Sequence, residues 1–284
     1  MNAVGITSLI KDYGKLRVLN NINLEVPAGS IYGLIGPNGA GKTTLIKTLI
    51  GSVKASSGTI RVLGMEPRKD KWKLRKKCGY MPQEYALYDG LSARNNILFF
   101  GEAQNVPDLK TRTEEILAFA ELTDRADDEV GNFSGGMKKR VSLCCALIHN
   151  PEILFLDEPT AAVDPHLKLQ SWALFRKLSQ QGVTLFVSTH LMDEALLCDK
   201  VTILRQGEIL AVDTPKNILR LGKTKMQITK EGIVTTTQIE STPEHAAEEL
   251  KKFGLSSDVS SVEFLPDNLE EIILRIVEQK KENE

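Results

Sequence analysis

The stretch Gly36-Pro37-Asn38-Gly39-Ala40-Gly41-Lys42-Thr43-Thr44 decides the fold of this chain. Its glycines, lysine and threonine have the spacing of a phosphate-binding loop. Ile31-Tyr32-Gly33-Leu34-Ile35 before it is typical of a short buried strand, and residues 44–50 after it have the apolar spacing of a helix. A strand, a glycine loop and a helix start form an anion cradle, because loop amides and the helix dipole place positive charge at one spot. The stretch therefore predicts a nucleoside triphosphate site.

The spacing of the loop also predicts roles for its side chains. Lys42 is expected to reach the β- and γ-phosphates, and Thr43 to offer its hydroxyl to Mg²⁺. The glycines let the backbone approach phosphate, because no Cβ stands in the way. We therefore expect residues 36–44 to bind the nucleotide.

Composition limits the kind of protein this can be. The chain has 284 residues, 42% of them apolar, enough for one large α/β domain and a small appendage. Its formal net charge of −1 gives no basic excess, so we expect no nucleic-acid partner. The four cysteines lack metal-ligand spacing, which favours a reduced, cytosolic protein. No apolar run approaches the ~20 residues that span a bilayer, and the N-terminus lacks a signal segment.

Hydrophobic periodicity predicts strands early in the chain and helices in its middle. Residues 22–26 alternate between apolar and polar, as in a half-buried strand, and 58–64 form another strand bounded by glycines. The period changes to that of helices over 92–123, and a further helix is expected over 136–150.

A strand–helix–strand unit follows. Residues 153–156 and 183–187 are typical of buried parallel strands, and the helix between them runs from Pro165 to Gln181. This order predicts a right-handed crossover in the parallel sheet of an α/β fold. Ligands of such sheets bind at the carboxyl ends of the strands, where the polar motifs of this chain lie.

The composition changes near Gly222, so we expect a nucleotide-binding domain over 1–221 and an appendage over 222–284. The appendage is polar, with weak strands at 225–239 and 261–265 and a last helix from about Asn268. That helix has an apolar stripe, which either packs on the appendage's own sheet or binds a partner. The stripe consists of Leu269, Ile272, Ile273, Ile276 and Val277.

Two acids follow the apolar run 153–156. Asp157 is expected to hold Mg²⁺, and Glu158 to orient and deprotonate an attacking water. Alone, an acidic pair after an apolar run is a weak motif and fits a solvated turn equally well. Together with the phosphate loop, the pair favours hydrolysis of a nucleotide.

A second helix start carries exposed amides. Ser134 is an N-cap candidate, and Gly135 and Gly136 follow it in the segment Phe133–Arg140. By itself this is an ordinary capped helix. One triphosphate does not need two anion sites, however, so the second site suggests a nucleotide that is held by another subunit.

With these motifs in their order, residues 1 to about 220 resemble an ATP-binding cassette (ABC) transporter ATPase subunit. Residues 36–44 resemble the Walker A loop, 153–158 Walker B, and 133–137 the family signature. Met137 replaces the usual glutamine and Phe133 the usual leucine. Ala161 replaces a common serine in the D-loop over 161–164, so this position offers no side-chain hydroxyl for a contact between subunits.

The resemblance implies a P-loop NTPase fold, with a RecA-like core, an antiparallel β-subdomain, a helical subdomain over about 88–150 and a small α+β appendage at the C-terminus. It implies that Tyr13 stacks on adenine and that Asp164 belongs to the nucleotide site. Gln83 is implied to touch Mg²⁺ or the water, and His190 the γ-phosphate. The implied catalytic residues are Glu158, His190 and Gln83, and the implied Mg²⁺ ligands are Thr43, Gln83 and Asp157.

The function implied by the resemblance is transport driven by ATP and Mg²⁺. Two ATPase subunits, identical or homologous, face each other head to tail, so that Ser134–Gly136 of one complete the site of the other. They move separate transmembrane permease subunits from the cytoplasmic face of the membrane. The tail segment 265–274 resembles that of bacterial drug or ion exporters. An importer ATPase, or an ABC ATPase that acts on ribosomes or DNA, remains the alternative.

Three smaller expectations concern single side chains. Cys144 and Cys145 belong to an apolar helix and are expected in the core. His149 and His166 are expected at the surface. The run Lys138-Lys139-Arg140 is expected to form a solvated helix face, with phosphate or lipid contact as the alternative.

Overall fold

The computed structural model describes residues 2–253, 258–269, 271, 272, 274 and 275. Contacts between Cα atoms divide the chain into two units, Met1–Ile209 and Leu210–Glu284. The domain boundary that the sequence predicts, between residues 221 and 222, lies later in the chain than this division and stays a prediction.

Strands and helices alternate along the first unit, and strands dominate the second. Among the described residues, the strands are β1 (Asn2–Tyr13), β2 (Leu16–Pro27), β3 (Ile31–Ile35), β4 (Ser57–Val62), β5 (Cys78–Met81), β6 (Ile153–Asp157), β7 (Thr184–Thr189), β8 (Lys200–Arg205), β9 (Glu208–Asp213), β10 (Lys223–Lys230), β11 (Ile233–Glu240) and β12 (Val259–Pro266). The helices are α1 (Lys42–Leu49), α2 (Lys71–Arg75), α3 (Ala93–Ala103), α4 (Leu109–Phe119), α5 (Gly135–Leu147), α6 (Pro165–Gln180), α7 (Met192–Ala195), α8 (Pro215–Leu219) and α9 (Pro243–Phe253).

An antiparallel sheet of order β2-β1-β4 forms the predicted β-subdomain. The central strand places Ile6 between Leu24 and Ile60 on its two neighbours. Ile22, Leu24 and Val26 of β2 are buried and the residues between them are exposed, as the alternation predicts. One face of this sheet therefore joins the core, and the other faces solvent.

A mostly buried sheet of order β5-β6-β7-β3-β8-β9 forms the second layer. β3 pairs in parallel with β7 and β8, and β6 pairs in parallel with β5 and β7. β3, β6 and β7 are buried along their whole length, which is why they are apolar runs rather than alternating patterns. Tyr32 stacks on Phe186 within this layer, with ring centroids 5.8 Å apart.

The register of the parallel strands brings the predicted site residues to one edge. Ile35 at the end of β3 pairs with Thr189, and Asp157 at the end of β6 pairs with Ser188. Both partners lie on β7, so the three strands end close to one another. The phosphate loop, Glu158 and His190 follow directly from these ends. The edge predicted to bind ligand is therefore the edge where the motifs meet.

Helices α3, α4 and α5 form the predicted helical subdomain. Ser92 caps α3 by accepting from Asn95 N at 3.1 Å. The buried side chain of Asn96 accepts from Tyr88 N at 2.8 Å and donates to Tyr88 O at 3.1 Å, which fixes the chain just before the helix. Cys144 and Cys145 are buried in α5 as predicted, and burial raises the pKa of the Cys144 thiol to about 12.

The second unit has a sheet of order β11-β10-β12. α9 is an element that the sequence reading missed. Its Ala246, Leu250 and Phe253 pack against a small core of Met226, Ile228 and Ile239. Leu269 and Ile272 of the apolar stripe are buried, which favours packing over a free partner face. Ile273, Ile276 and Val277 of that stripe lie outside the described residues.

Candidate active site

The phosphate loop joins β3 to α1 through backbone conformations that require glycine. Gly39 has a φ of +80° and Gly41 a φ of +106°, both in the left-handed region. At Gly36 a Cβ would lie 2.2 Å from the carbonyl oxygen of Leu204, so a larger residue cannot fit without movement. α1 begins after Gly41 without a side-chain cap. The amides of its first turn have no partner within the helix and can bind an anion.

Backbone carbonyl groups of the phosphate loop hold the side chain of Lys42 against the loop. Its Nζ donates to Gly36 O at 2.8 Å and to Pro37 O at 3.1 Å. The same atom lies 3.3 Å from Glu158 Oε1, and both side chains are buried. The loop therefore presents a fixed cation next to a fixed carboxylate.

These groups surround a pocket of about 390 Å³. Other clefts among the described residues have similar volumes, about 390, 420 and 460 Å³, so size alone does not identify the site. The residues that line the pocket identify it, because they combine the phosphate loop and the first turn of α1 with Gln83 and Glu158, which follow two other strands. The lining consists of Val18, Asn38, Gly39, Gly41, Lys42, Thr43, Thr44, Gln83 and Glu158. Val18 is the one lining residue among these that the sequence did not predict.

Three groups converge on the carboxylate of Glu158. Lys42 approaches Oε1, and Gln83 Nε2 donates to Oε2 at 3.3 Å. His190 Nδ1 also lies 3.3 Å from Oε2, but without the alignment of a hydrogen bond. The backbone of Glu158 has a φ of +50°, an uncommon value for glutamate. Its amide donates to Ser188 O at 3.1 Å, which holds this conformation.

Asp157 is fully buried, and only one of its two carboxylate oxygens accepts a hydrogen bond from a described residue. Ser188 Oγ donates to Asp157 Oδ1. Asp157 Oδ2 is buried and accepts no hydrogen bond from any residue that the structure describes. A buried oxygen of this kind suits a cation or a water, because an unsatisfied buried acceptor is unfavourable. Among the described residues, no group of three or more His, Cys, Asp or Glu side chains is arranged to hold a metal ion.

Lys139 is a residue of this site that the sequence reading missed. Its Nζ donates to Gln83 O at 2.8 Å and to Glu158 O at 3.2 Å. It also lies 5.2 Å from the ring centroid of Tyr85. Burial lowers the pKa of Lys139, and the carboxylates of Glu158 and Asp157 oppose that shift. The ammonium group of Lys139 thus links the backbone of Gln83 to that of Glu158, and both of these residues line the pocket.

The prediction of a solvated face over 138–140 is therefore wrong for two of its three residues. Lys139 and Arg140 are buried, and only Lys138 reaches solvent, where it pairs with Asp89 at 3.0 Å. Arg140 donates to Ala120 O at 3.3 Å. Helical periodicity could not have shown this, because α5 is buried continuously over 139–147 rather than along one stripe, and the two cations reach carbonyl groups of distant segments. His166 is exposed as predicted, whereas His149 is half-buried.

The structure does not bring the signature residues to the pocket of their own chain. Ser134 caps α5, accepting from Met137 N at 3.3 Å, and it does not line the pocket. Gly135 O accepts from the Tyr85 hydroxyl at 3.3 Å. A Cβ at Gly136 would lie 2.6 Å from Leu167 Cδ1, so α5 packs closely on α6 at this point.

Tyr13 and Asp164 also lie apart from the pocket lining. Tyr13 is 47% exposed, and Lys11 Nζ lies 4.3 Å from its ring centroid. Asp164 caps α6 by accepting from His166 N at 3.1 Å and Leu167 N at 3.0 Å. Gly36, Pro37 and Ala40 belong to the loop without lining the pocket. Asp157 and His190 do not line it either; Asp157 precedes Glu158 in the chain, and His190 approaches the Glu158 carboxylate. Their roles toward a nucleotide stay predictions.

Comparison with protein families matches residues 19–161 to the family described as ABC transporter. The linearmycin resistance ATP-binding protein LnrL of Bacillus subtilis (strain 168) is 40% identical over 228 residues, which cover 78% of this chain and 73% of that protein. The probable multidrug ABC transporter ATP-binding protein YbhF of Escherichia coli (strain K12) is 38% identical over 74% of this chain, but the match covers only 37% of YbhF.

Among solved structures, one similar chain is the ATP-binding cassette MJ0796 in a dimeric, post-hydrolysis state bound to ADP and Pi. It is 27% identical, with a TM-score of 0.66, and the match covers 75% of this chain and 98% of that one. Within the described ranges of the present chain, no helix combines the length and the apolar character that crossing a bilayer requires.

Proposed function

This chain belongs to the ABC transporter family as an ATP-binding, ATP-hydrolysing subunit, and on that premise we propose that it drives export through separate membrane subunits. The observation that carries the catalytic part of the proposal is the convergence of Lys42, Gln83 and His190 on the carboxylate of Glu158. That carboxylate stands at the mouth of a phosphate loop, where a hydrolytic base is needed.

In this proposal the loop binds ATP and Glu158 activates the water. The amides of the loop and the ammonium of Lys42 neutralise the β- and γ-phosphates. Glu158 accepts a proton from the attacking water on Oε1 or Oε2, and Gln83 and His190 orient the carboxylate and the water. Lys139 keeps Gln83 and Glu158 at a fixed separation through their carbonyl groups.

Mg²⁺ fits the residues present. The Thr43 hydroxyl lines the pocket, the Gln83 side chain lines it too, and Asp157 Oδ2 is a buried oxygen without a partner among the described residues. These three groups would hold the ion, Asp157 directly or through a water. When bound, the ion neutralises charge on the β- and γ-phosphates.

A second copy of the chain, or a homologous subunit, completes each site in this proposal. Ser134, Gly135 and Gly136 stand at a helix start outside the pocket of their own chain. Their uncommitted amides suit the γ-phosphate of a facing subunit. A dimer is known for the similar cassette MJ0796. Tyr13 is half-exposed and able to stack on adenine, and Asp164 lies at the start of α6, where a facing subunit could approach it.

Export is supported by the names of similar proteins. LnrL is named for resistance to linearmycin and YbhF for multidrug transport. Both names describe those proteins, and we extend export to this chain as a proposal. In this proposal the chain lies at the cytoplasmic face of the membrane, bound to transmembrane permease subunits that determine which substrate is exported.

The base is tested with Glu158→Gln, and with Glu152→Gln as the matched control. Glu152 and Glu158 stand just before and just after β6, and Glu152 is exposed and paired with Lys77. We expect Glu158→Gln to bind ATP with nearly unchanged affinity, to dimerise in ATP and to lose hydrolysis by about 10²-fold or more. Glu152→Gln should hydrolyse ATP normally. Normal turnover in Glu158→Gln would refute the assignment of the base.

The shared site is tested by mixing two inactive variants. Lys42→Ala removes the loop cation, and Ser134→Glu puts a like charge beside the phosphates of the facing subunit. A mixed dimer has one site with both an intact loop and an intact Ser134, so mixing should restore ATPase activity. If each subunit hydrolysed ATP with only its own residues, the mixture would stay inactive.

A further inference from the structure

Residues 66–77, Glu-Pro-Arg-Lys-Asp-Lys-Trp-Lys-Leu-Arg-Lys-Lys, form a surface that the proposed catalytic cycle does not use. We name it the basic patch. It contains seven cations and two carboxylates and so carries a net charge of +5, whereas the whole chain carries −1. Positive charge is therefore concentrated in one short segment of a chain that is otherwise acidic, which indicates an anionic partner.

The fold turns the basic patch outward. Leu74 is the buried residue of α2 and anchors the helix to the core. Trp72 is 75% exposed, and the guanidinium of Arg75 lies 5.2 Å from its ring centroid. Lys73 and Lys76 are exposed as well. The segment thus presents an indole ring surrounded by cations to its surroundings.

Most of these cations have no carboxylate partner. Glu66 pairs with Lys69 at 2.9 Å, and Lys77 pairs with Glu152. Asp70 accepts from the backbone amide of Glu66 at 2.9 Å. The other five cations take part in no ion pair between described residues; they are Arg68, Lys71, Lys73, Arg75 and Lys76.

A cleft beside the basic patch extends the positive charge. It has a volume of about 420 Å³, and its lining includes four cations, Lys54, Arg61, Arg68 and Lys69, and one carboxylate, Glu66. These cations come from β4 and from the loops around it. A phosphate group that approaches the patch would therefore meet cations from more than one segment.

The basic patch is not part of the nucleotide site. α2 immediately precedes β5, so the patch lies at the amino end of that strand. Gln83, which lines the nucleotide pocket, follows the carboxyl end of the same strand. Ligands of the parallel sheet bind at the carboxyl edge, so ATP does not explain the cations at the other end.

We infer that the basic patch binds the anionic phospholipid headgroups of the bilayer in which the membrane subunits lie. Lysine stems and a lone exposed tryptophan suit a lipid surface, because the ring enters the headgroup region while the ammonium groups meet phosphates. A nucleic acid would favour several stacked aromatic residues, and the patch has one. The choice of a bilayer rests on the proposed function, which puts this chain beside membrane subunits.

The test uses the full chain and vesicles of phosphatidylcholine with or without phosphatidylglycerol. We expect flotation with the anionic vesicles alone, weakened by salt. Each cation near an anionic surface contributes about fivefold to binding, so Lys71→Gln, Lys73→Gln and Lys76→Gln together should weaken it by about a hundredfold. The matched control is Lys110→Gln, Lys216→Gln and Lys251→Gln, which removes the same charge from exposed lysines elsewhere and should change binding little.

Fluorescence gives a second readout. In a Trp172→Phe background Trp72 is the one remaining tryptophan, and its emission should shift to shorter wavelength on anionic vesicles. Equal loss in both triple variants, binding to neutral vesicles, or tighter binding to an RNA oligonucleotide at the same salt would overturn the inference. ATPase activity of the same preparations separates the two proposals. Normal hydrolysis without vesicle binding would refute only this inference. Normal vesicle binding without hydrolysis would refute only the proposed function.

Discussion

Lys139→Met removes the ammonium group that joins the two catalytic segments while keeping a side chain of similar length. Nζ donates to Gln83 O at 2.8 Å and to Glu158 O at 3.2 Å, and the residue is only 6% exposed. The substitution leaves the carbonyl oxygen of Gln83 without its donor, whereas Glu158 O still accepts from the amide of Ala161 at 3.3 Å. A buried polar group that loses its partner costs about 1–3 kcal/mol.

The expected loss of unfolding free energy follows from these contacts. One unsatisfied carbonyl gives a loss of about 1–3 kcal/mol, and relief from burying a charge reduces it. We therefore expect a loss of about 1–2 kcal/mol. Freed from Lys139, Gln83 and Glu158 can shift relative to each other, and a shift of about 1 Å lowers catalysis by about 10²-fold. The KM for ATP should change less, because Lys139 does not line the pocket.

Urea unfolding followed by the fluorescence of buried Trp172 measures the stability, and steady-state phosphate release measures kcat and KM. Lys138→Met is the matched control, since Lys138 pairs with exposed Asp89 and should contribute within about 1 kcal/mol. Lys139→Arg should restore part of kcat, because guanidinium also donates to carbonyls. An unfolding free energy and a kcat equal to those of the unchanged chain would refute the proposed role of Lys139.

Three further outcomes are expected. Gly36→Ala places a Cβ 2.2 Å from Leu204 O, so thermal unfolding and nucleotide titration should show a loss of about 1–3 kcal/mol in stability and weaker ATP binding. Asp157→Asn should raise the Mg²⁺ concentration needed for half-maximal hydrolysis without abolishing ATP binding in EDTA; an unchanged Mg²⁺ titration would contradict the role of Asp157. Burial lowers the pKa of His149 below 6.5, so its contribution to stability is present above pH 6.5 and is lost as pH falls through the lower folded pKa. Denaturation midpoints measured from pH 7 down to about 5 should therefore fall more steeply than in His149→Gln, and parallel curves would count against it.

The local elements of the nucleotide site could be predicted from the sequence, because each depends on neighbours in the chain. The strand before the phosphate loop, the helix after it and the glycines between them follow from periodicity and backbone freedom. Ser134 and Asp164 are capping residues at the starts of α5 and α6, as their residue types indicate. The resemblance to the ABC family rested on these same local motifs.

One helix of the second unit was not predicted. The apolar positions of α9, Ala246, Leu250 and Phe253, have helical spacing, but they are few and lie within a charged segment. Its helical form depends on a small core that other strands supply, and most helical stability comes from such packing. The predicted division of the chain near Gly222 followed composition, which says nothing of which strands share contacts.

The sequence by itself determined the phosphate loop, the acids after β6 and the capped start of α5, since spacing along the chain is enough to define each of them. Only the tertiary structure decided that Lys139 is buried, that it joins Gln83 to Glu158, and that Asp157 keeps one buried oxygen without a partner among the described residues. It also decided that Ser134 lies apart from the pocket of its own chain. The physical reason is that burial and hydrogen bonding depend on which distant segments pack together, and residue spacing does not carry that information.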